Sequence, residues 1–302
     1  MVERAPVASR RSVLTGTAGL LLVSACGRAP ESDAQAPSAG EPKSENGPEK
    51  GTLEWAVAGD WRAGDRPRDA WRHPKETLQF FGLKPEMTVL EFWPGAGWWT
   101  EILAPYLAEN KGRLYAANMQ VDPAENPAAA QIAARFRERF SDRKRYGDVK
   151  MVEFGQTSGP LTPPNSVDLV MFMRNIHNWM AAGLAEKAFA DAFAALKPGG
   201  FLGVEQHRAN IGNTQDPAAS NGYVQEPFVK QLAAEAGFAF VASSEINANP
   251  KDTKDHPFGV WTLPPQRLSA PRGRPANPDF NHAKYDLIGE SDRMTLRFRK
   301  PA

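Results

Sequence analysis

Cysteine and histidine are scarce in this chain of 302 residues, and neither sign of charge is in excess. The one cysteine, Cys26, excludes a disulfide within the chain and a cluster of thiolate metal ligands. The five histidines are scattered without the His-x-x-x-His spacing of a metal site, so we predict no metal. A formal net charge of +1 gives no bulk electrostatic reason to expect nucleic acid as a partner.

Long apolar runs are also missing from the beginning of the sequence. The apolar run at 13–25 is shorter than the roughly 20 residues of a membrane-spanning helix, and paired arginines precede it, so it fits an export signal. The run ends in VSAC, which resembles a bacterial lipobox, and the arginines resemble a twin-arginine signal. This resemblance implies cleavage before Cys26, a lipid on its sulfur, and anchorage to the periplasmic side of the cell envelope. A plain secretory signal with a chance cysteine is the alternative.

Residues 26–50 contain no large apolar side chain, so they cannot bury enough surface to offset the entropy of ordering. We therefore predict a flexible tether at 26–50, after an export signal at 1–25. Residues 51–302 remain for one folded domain with insertions.

Apolar runs and amphipathic segments alternate along the folded part. The runs predict strands at 88–93, 113–117, 149–154, 167–173, 201–205, 238–242 and 294–299. The segments between them predict helices at 97–109, 124–140, 184–196 and 226–236, with a broken helix over 67–82 and a turn at 197–200. Because the central strands are apolar on both faces, we predict a doubly wound, Rossmann-like α/β sheet with helices on both sides.

The connection at 247–292, before the last predicted strand, is rich in proline, asparagine and aspartate and has no clear periodicity. It is too long for an ordinary loop. We interpret it as an insertion or lid that covers part of the ligand-binding edge of the sheet.

A glycine-rich loop follows the first predicted strand, within LEFWPGAGWWT at 90–100. Gly95 and Gly97 remove side chains, so a ligand can approach the backbone. In an open α/β sheet, ligands bind beyond the carboxyl ends of the strands, and the helix that follows offers N–H groups to an anion. A tight corner that only packs well is the other explanation of these glycines.

The surrounding residues resemble class I S-adenosylmethionine-dependent methyltransferases. Val89-Leu90-Glu91 followed by G-x-G resembles their motif I, Asp168-Leu169-Val170 their fourth-strand motif, and the LKPGG at 196–200 the turn before their fifth strand. The stretch RDAWRHPKETLQFFGLKPEMTVLEFWPGAGWWTEILAPYL and the ending RMTLRFRKP look like a group of bacterial predicted methyltransferases. The likeness covers roughly 68–301. It implies a seven-stranded mixed sheet with the last strand antiparallel.

The same resemblance implies a cofactor site. Glu91 would contact the methionine amino group, and Asn118, after the second strand, would bind the ribose hydroxyls. The predicted cofactor-binding residues are Glu91, Pro94, Gly95, Ala96, Gly97, Trp98, Asn118 and Arg174. The chain departs from the superfamily pattern at Trp93, which stands where a glycine is usual, and at 153–156, where EFGQ replaces the usual third-strand aspartate.

Titratable and polar residues follow the fourth and fifth predicted strands. His177 and His207 are candidate general bases because the pKa of histidine lies near neutral pH. Asn175, Glu205 and Asn249 are candidate substrate-binding residues. The alternative for each is a local structural role: a histidine that hydrogen-bonds its loop, a strand-end salt bridge, or an asparagine in a turn.

We therefore expect methyl transfer from S-adenosylmethionine to an O, N or C nucleophile of a small molecule. An anchored, catalytically inactive module that binds a small ligand in the same cleft is the alternative. A nucleotide-dependent oxidoreductase is a weaker hypothesis, because Thr100 occupies the place of the third glycine in G-x-G-x-x-G. The oligomeric state and the methyl acceptor stay open.

Overall fold

The computed structural model describes residues 47–212 and 214–302, and the predicted export signal, Cys26 and nearly all of the predicted tether lie outside them. The helices of the described residues are α1 (Leu53–Ala58), α2 (Asp69–Arg72), α3 (Pro74–Phe81), α4 (Thr100–Glu109), α5 (Pro127–Arg139), α6 (Arg143–Tyr146), α7 (Ile176–Ala181), α8 (Ala185–Ala195), α9 (Glu226–Glu235) and α10 (Ala283–Ile288). The strands are β1 (Thr88–Phe92), β2 (Arg113–Met119), β3 (Lys150–Phe154), β4 (Val167–Met173), β5 (Leu196–His207), β6 (Ala239–Ser244), β7 (Pro257–Val260) and β8 (Arg293–Arg299).

Seven of these strands form one mixed sheet in the order β3-β2-β1-β4-β5-β8-β6. The five strands β1 to β5 are parallel, and β8 runs antiparallel to both of its neighbours. The predicted seven-stranded mixed α/β sheet is confirmed. The strand order reverses between β1 and β4, and a ligand crevice is expected beyond the carboxyl ends of those two strands.

The side chains of the central strands alternate between two apolar cores, one on each face of the sheet. On β1, Leu90 and Phe92 belong to one core and Val89 to the other. On β4, Phe172 faces the first core and Met171 the second. Strands buried on both faces must be apolar at almost every position, which is why apolar runs identified them in the sequence.

Two helices begin three residues later than predicted, each for a local reason. Helix α4 begins at Thr100 because Gly97 has a φ of +91°, which no right-handed helix accommodates. Helix α5 begins at Pro127, where proline at the first helical position needs no N–H partner, and the Asn126 side chain accepts a hydrogen bond of 3.0 Å from Ala129 N. The broken helix is confirmed as α2 and α3, separated at His73 and ended by Gly82.

The predicted turn at 197–200 lies within β5 instead. It forms an irregular, bulged start of the strand, where the pairing with β4 shifts register after Val167 and Leu196. Gly199 donates 2.9 Å to the carbonyl of Lys300, and Lys300 N donates 2.9 Å to Gly200, so β8 holds the bulge. The sequence also gave no prediction of α7, which follows β4 directly at the edge where the cleft lies.

The connection from β6 to β8 is attached to the rest of the domain at both ends. At its beginning, the Asn247 amide donates to the hydroxyls of Thr77 (2.9 Å) and Thr295 (3.1 Å). At its end, Asp292 accepts hydrogen bonds from Arg208 and from the backbone N–H of Asn249. The stretch between contains β7, which lies outside the main sheet, and α10; neither was predicted.

Candidate functional site

A cleft opens at the carboxyl ends of β1, β4 and β5, where the fold predicts ligand binding. Its cavity volume is about 390 Å³, within the roughly 300–1,000 Å³ of small-molecule sites. Residues after β1 and β4, the N-terminal segment before α3, and the β6–β8 connection line it. The lining residues are Asp65, Arg68, Arg72, Trp93, Pro94, Gly95, Ala96, Trp98, Met173, Arg174, Asn175, His177, Asn178, His207, Val260, Trp261, Pro264, Pro265, Gln266, Arg272, Glu290 and Ser291.

The two glycines of the β1–α4 loop, Gly95 and Gly97, have different structural roles. Both have left-handed backbone, with φ of +62° at Gly95 and +91° at Gly97. A Cβ at Gly95 would have no neighbour within 4 Å, whereas one at Gly97 would lie 2.3 Å from the Phe140 ring. Gly95 therefore leaves backbone open beside the cleft, and Gly97 lets α5 pack against the loop. Trp93, at φ +43°, is left-handed too, which explains why glycine suits that position.

Glu91 is buried on β1, one residue before the strand ends. The Thr100 hydroxyl donates a hydrogen bond of 2.7 Å to its Oε2 atom. Burial raises the pKa of Glu91 to about 7, and the hydrogen bond from Thr100 opposes this rise. The carboxyl group is therefore poised between its neutral and ionised forms near neutral pH, and an approaching cation would favour the ionised form.

Neither Trp93 nor Trp98, the two cleft-lining tryptophans of the β1–α4 loop, fills the cleft. The Trp93 ring packs against Phe154 and Trp179, and its Nε1 donates 3.0 Å to the carbonyl of Phe154. The Trp98 ring carries the Arg72 guanidinium 4.6 Å from its centre, and Trp98 Nε1 donates to the carbonyl of Asp65. Trp98 is thus a support for an arginine as well as part of the cleft wall.

Four arginines converge on the carboxylate of Glu290 beside the cleft, and we call these five residues the Glu290 cluster. The arginines are Arg68, Arg72, Arg174 and Arg293. Their nitrogens lie 2.9, 3.1, 3.4 and 2.6 Å, in that order, from the Glu290 oxygens. Burial alone would raise the pKa of Glu290, but the positive charges of Arg174, Arg293 and Arg68 outweigh it and lower that pKa. Glu290 is therefore ionised, and its single negative charge faces four positive ones.

His207 at the end of β5 and His177 in the first turn of α7 meet, with ring centres 5.4 Å apart. His177 Nδ1 lies 3.2 Å from the Gln206 amide nitrogen, and His207 Nδ1 lies 2.5 Å from Ser291 Oγ. Burial is the main cause that lowers the pKa of His177 to about 4, against the hydrogen bond from Gln206. Burial, with the charges of His177 and nearby arginines, also lowers the pKa of His207 well below 6.5. Both imidazoles are therefore neutral at pH 7, and their lowered pKa makes them weaker bases than the ordinary histidine that the sequence led us to expect.

No protein-family profile matches the sequence, and no curated protein matches it significantly. Among solved structures, a putative sarcosine dimethylglycine methyltransferase from Galdieria sulphuraria is similar over 82% of this chain and 90% of its own, with 15% identity and a TM-score of 0.51. A SAM-dependent methyltransferase from Aquifex aeolicus is 21% identical over 62% of this chain and 90% of its own (TM-score 0.49). The N-methyltransferase NodS from Bradyrhizobium japonicum, solved with S-adenosyl-L-homocysteine, is 19% identical over 83% of this chain and 97% of its own (TM-score 0.46).

The chain has the class I methyltransferase fold. The likeness to the Galdieria protein and the sheet order, with its antiparallel β8, support this assignment. At these identities the likeness extends to the fold and no further.

Within this class I methyltransferase fold, most of the predicted site residues line the cleft: Pro94, Gly95, Ala96, Trp98, Arg174, Asn175, His177 and His207. Asn175 has an additional task, because its amide donates 2.9 Å to the carbonyl of Trp93 and 3.3 Å to that of Phe92. It therefore ties the loop after β4 to the end of β1.

Other predicted residues do not line the cleft. Asn118 is buried on β2, and its amide donates 3.3 Å to the carbonyl of Ala116. Glu205 is buried 2.8 Å from the Arg293 guanidinium. Asn249 donates to the carbonyls of Ile288 and Glu290, which is a structural role in the connection. Glu91 and Gly97 are likewise absent from the cleft lining, although they adjoin the loop that forms it.

Several residues that the fold brings to the cleft were not predicted individually: Arg68, Arg72, Trp261, Arg272, Glu290 and Ser291. Arg68 and Arg72 carried one local signal, because a spacing of four places two side chains on the same side of a helical turn. The β6–β8 connection was expected to cover this edge as a segment, but no pattern indicated which of its residues reach the cleft, since that depends on long-range packing. Among the described residues, no group of three potential metal ligands occurs.

Proposed function

We propose that this chain transfers a methyl group from S-adenosylmethionine to an O, N or C nucleophile of a small molecule. The observation that carries the proposal is the open side of Gly95 at the cleft between the ends of β1 and β4. A side chain at this position would occupy space that the chain leaves empty, as expected where a ligand meets backbone. The methyltransferases of similar fold, one of which was solved with S-adenosyl-L-homocysteine, support the same cofactor.

The residues around the loop fit such a cofactor. When bound, S-adenosylmethionine supplies an electrophilic methyl group on a positively charged sulfur and leaves as S-adenosylhomocysteine. Glu91, ionised by the approach of a cation, would stabilise the positive end of the methionine part. The residues that line the cleft beside this loop and would hold the remainder are Pro94, Gly95, Ala96 and Trp98.

One of the two histidines would take the proton that the acceptor loses on methylation, although burial makes each a weak base in the apo protein. Because His207 Nδ1 contacts Ser291 Oγ, we assign the proton transfer to His207 Nε2. His177, whose ring lies beside that of His207, is the second candidate. Most of the rate acceleration would come from holding the nucleophile in line with the methyl group, and the base would contribute a smaller factor.

Calorimetric titration of the full-length chain with S-adenosylmethionine and S-adenosylhomocysteine, with NAD as a control, tests cofactor binding. We expect micromolar binding of the two adenosyl ligands and at least tenfold weaker binding in Gly95→Val. Gly183→Val is a matched control, because Gly183 has a similar φ of +66° and equally open surroundings, away from the cleft. Absence of binding by a folded sample would refute the proposal. Binding without transfer of labelled methyl to any acceptor would favour the inactive binding module.

We also propose that the protein is exported and anchored to the cell envelope through a lipid on Cys26. The support is the VSAC sequence and the paired arginines before it. Within residues 47–212 and 214–302, no helix has the length and apolarity to cross a membrane. We expect labelled fatty acid on the chain and its loss in Cys26→Ser. Labelling of both, or of neither, would contradict lipidation at Cys26.

A further inference from the structure

The Glu290 cluster holds more positive than negative charge. Its four arginines face Glu290 and one further carboxylate, Glu205, which lies 2.8 Å from Arg293 Nε. Two positive charges are therefore unmatched within the cluster. Arg72 and Arg293 are almost completely buried, so water does not screen this excess as it would at the surface.

Several guanidinium N–H groups of the cluster also have no partner. Nη1 and Nη2 of Arg72 and Nε of Arg174 are buried and make no hydrogen bond to any described residue. Both side chains line the cleft. Burying a donor without an acceptor is unfavourable, and more so when the donor is charged, so these groups favour a ligand that accepts hydrogen bonds. The planar fork of a guanidinium fits the paired oxygens of a carboxylate or phosphate.

The cluster lies on the side of the cleft formed by β4, β5 and β8. Arg174 follows β4, and Arg293 begins β8 opposite His207 on β5. The open glycine of the cofactor loop follows β1, on the other side of the switch point. Arg174 and Arg293 are thus placed beside the two histidines that we assign to the acceptor, whereas Arg72 packs on Trp98 of the β1–α4 loop.

We infer that the methyl acceptor carries a carboxylate or phosphate group, which Arg72 and Arg174 of the Glu290 cluster bind. That the anion belongs to a methyl acceptor rests on the proposed function, whereas the existence of an anion site does not. The same chemistry could come from the carboxylate of the cofactor's methionine part, so the test must separate these two sources.

Inorganic phosphate is the probe, titrated into the full-length chain at constant ionic strength with and without saturating S-adenosylhomocysteine. We expect phosphate to raise the unfolding temperature in both conditions, and Arg174→Gln to weaken its binding at least tenfold. Arg174→Lys, which keeps the charge and loses the fork, should lie between. Arg143→Gln is the control, because Arg143 is an exposed arginine paired with Asp148 (3.0 Å) away from the cleft.

Phosphate binding that S-adenosylhomocysteine abolishes, but 5′-methylthioadenosine does not, would assign the cluster to the cofactor's carboxylate and overturn the inference. No binding of phosphate, or equal weakening in Arg143→Gln, would overturn the anion site itself. Failure of S-adenosylhomocysteine to bind while phosphate binds would refute the proposed function and leave the anion site standing. Among methyl acceptors, a carboxylic acid should be used with at least tenfold higher kcat/KM than its neutral methyl ester.

Discussion

Replacing Glu91 with glutamine should stabilise the apo protein, and the gain should depend on pH. Glu91 is buried on β1 with one side-chain hydrogen bond, from Thr100, and burial raises its pKa from an ordinary 4.5 to about 7. At about 1.4 kcal/mol for each pKa unit, ionising this group in the folded protein costs about 3 kcal/mol more than in the unfolded chain.

The sign of this contribution follows from the raised pKa. Below pH 4.5 the carboxyl group is neutral in both states, and it costs the folded protein nothing. As the pH rises from 4.5 through 7, the unfolded chain loses the proton first, so the folded state is progressively destabilised. Glutamine keeps the shape and stays uncharged, so Glu91→Gln avoids this loss.

Urea unfolding at pH 4.5 and pH 8 measures the effect. At pH 8 the variant should be more stable by about 3 kcal/mol, which for a slope of ~3 kcal/mol per molar urea shifts the midpoint by ~1 M. At pH 4.5 the two proteins should differ by less than ~0.5 kcal/mol. Every other titrating group is shared, so the difference isolates Glu91. Thr100→Val, which removes the opposing hydrogen bond, should lower stability at pH 8 when Glu91 is present.

The reasoning would be refuted if Glu91→Gln were only as stable as the parent at pH 8, or less stable than the parent at both pH values. The same substitution should weaken S-adenosylmethionine binding, because the neutral amide cannot stabilise a cation. Stability and binding would then change in opposite directions, as is common where a functional group is held in an unfavourable environment.

Three further predictions concern packing, protonation and the β6–β8 connection. Gly97→Ala should lower the free energy of unfolding by about 3 kcal/mol, because its Cβ would overlap the Phe140 ring. Gly95→Ala should lower it by only ~1 kcal/mol, the cost of an alanine in left-handed backbone. Equal losses in thermal or urea unfolding would contradict this distinction. The imidazole of His177 should titrate near pH 4 by NMR, so its contribution to stability is present above pH 6.5 and is lost as the pH falls toward 4; a midpoint near 6.5 would show that the ring is not desolvated. Asn247→Ala should cost about 2 kcal/mol in urea unfolding, because two buried threonine hydroxyls lose their donor, and an unchanged midpoint would rule this out.

The sheet could be predicted from the sequence because the information is local. Strands such as β1 and β4 are apolar at nearly every position, since both faces are covered. Their glycine loop was equally visible, because positive φ and close approach demand glycine at Gly95 and Gly97. Trp93 shows the limit of such reasoning, since nothing local revealed that a bulky residue adopts φ +43° there.

The Glu290 cluster could not be predicted from the sequence. Arg68 and Arg72 are separated from Glu290 by more than two hundred positions, and Arg174 comes from a third element. The composition of the β6–β8 connection indicated that this segment covers the edge, but not that Glu290 within it meets these arginines. Asn118, on β2, illustrates a second limit: the sequence can place a residue at a strand end without showing whether its side chain lines the cleft.

The β6–β8 connection contributes two parts of the cleft wall. We call the part at Glu290 and Ser291 the floor, and the loop at 261–282 the roof. The ends of this connection are attached to the rest of the domain through hydrogen bonds of Asn247 and Asp292, which hold the floor at Glu290 and Ser291 in place. The roof, at 261–282, spans from β7 to α10 between points already held in place. Since doubling the length of such a loop costs only about 0.6 kcal/mol in closure entropy, loops of other lengths could be grafted there. Such grafts could then change which substrates bind while the residues at Glu290 and Ser291 stay in place.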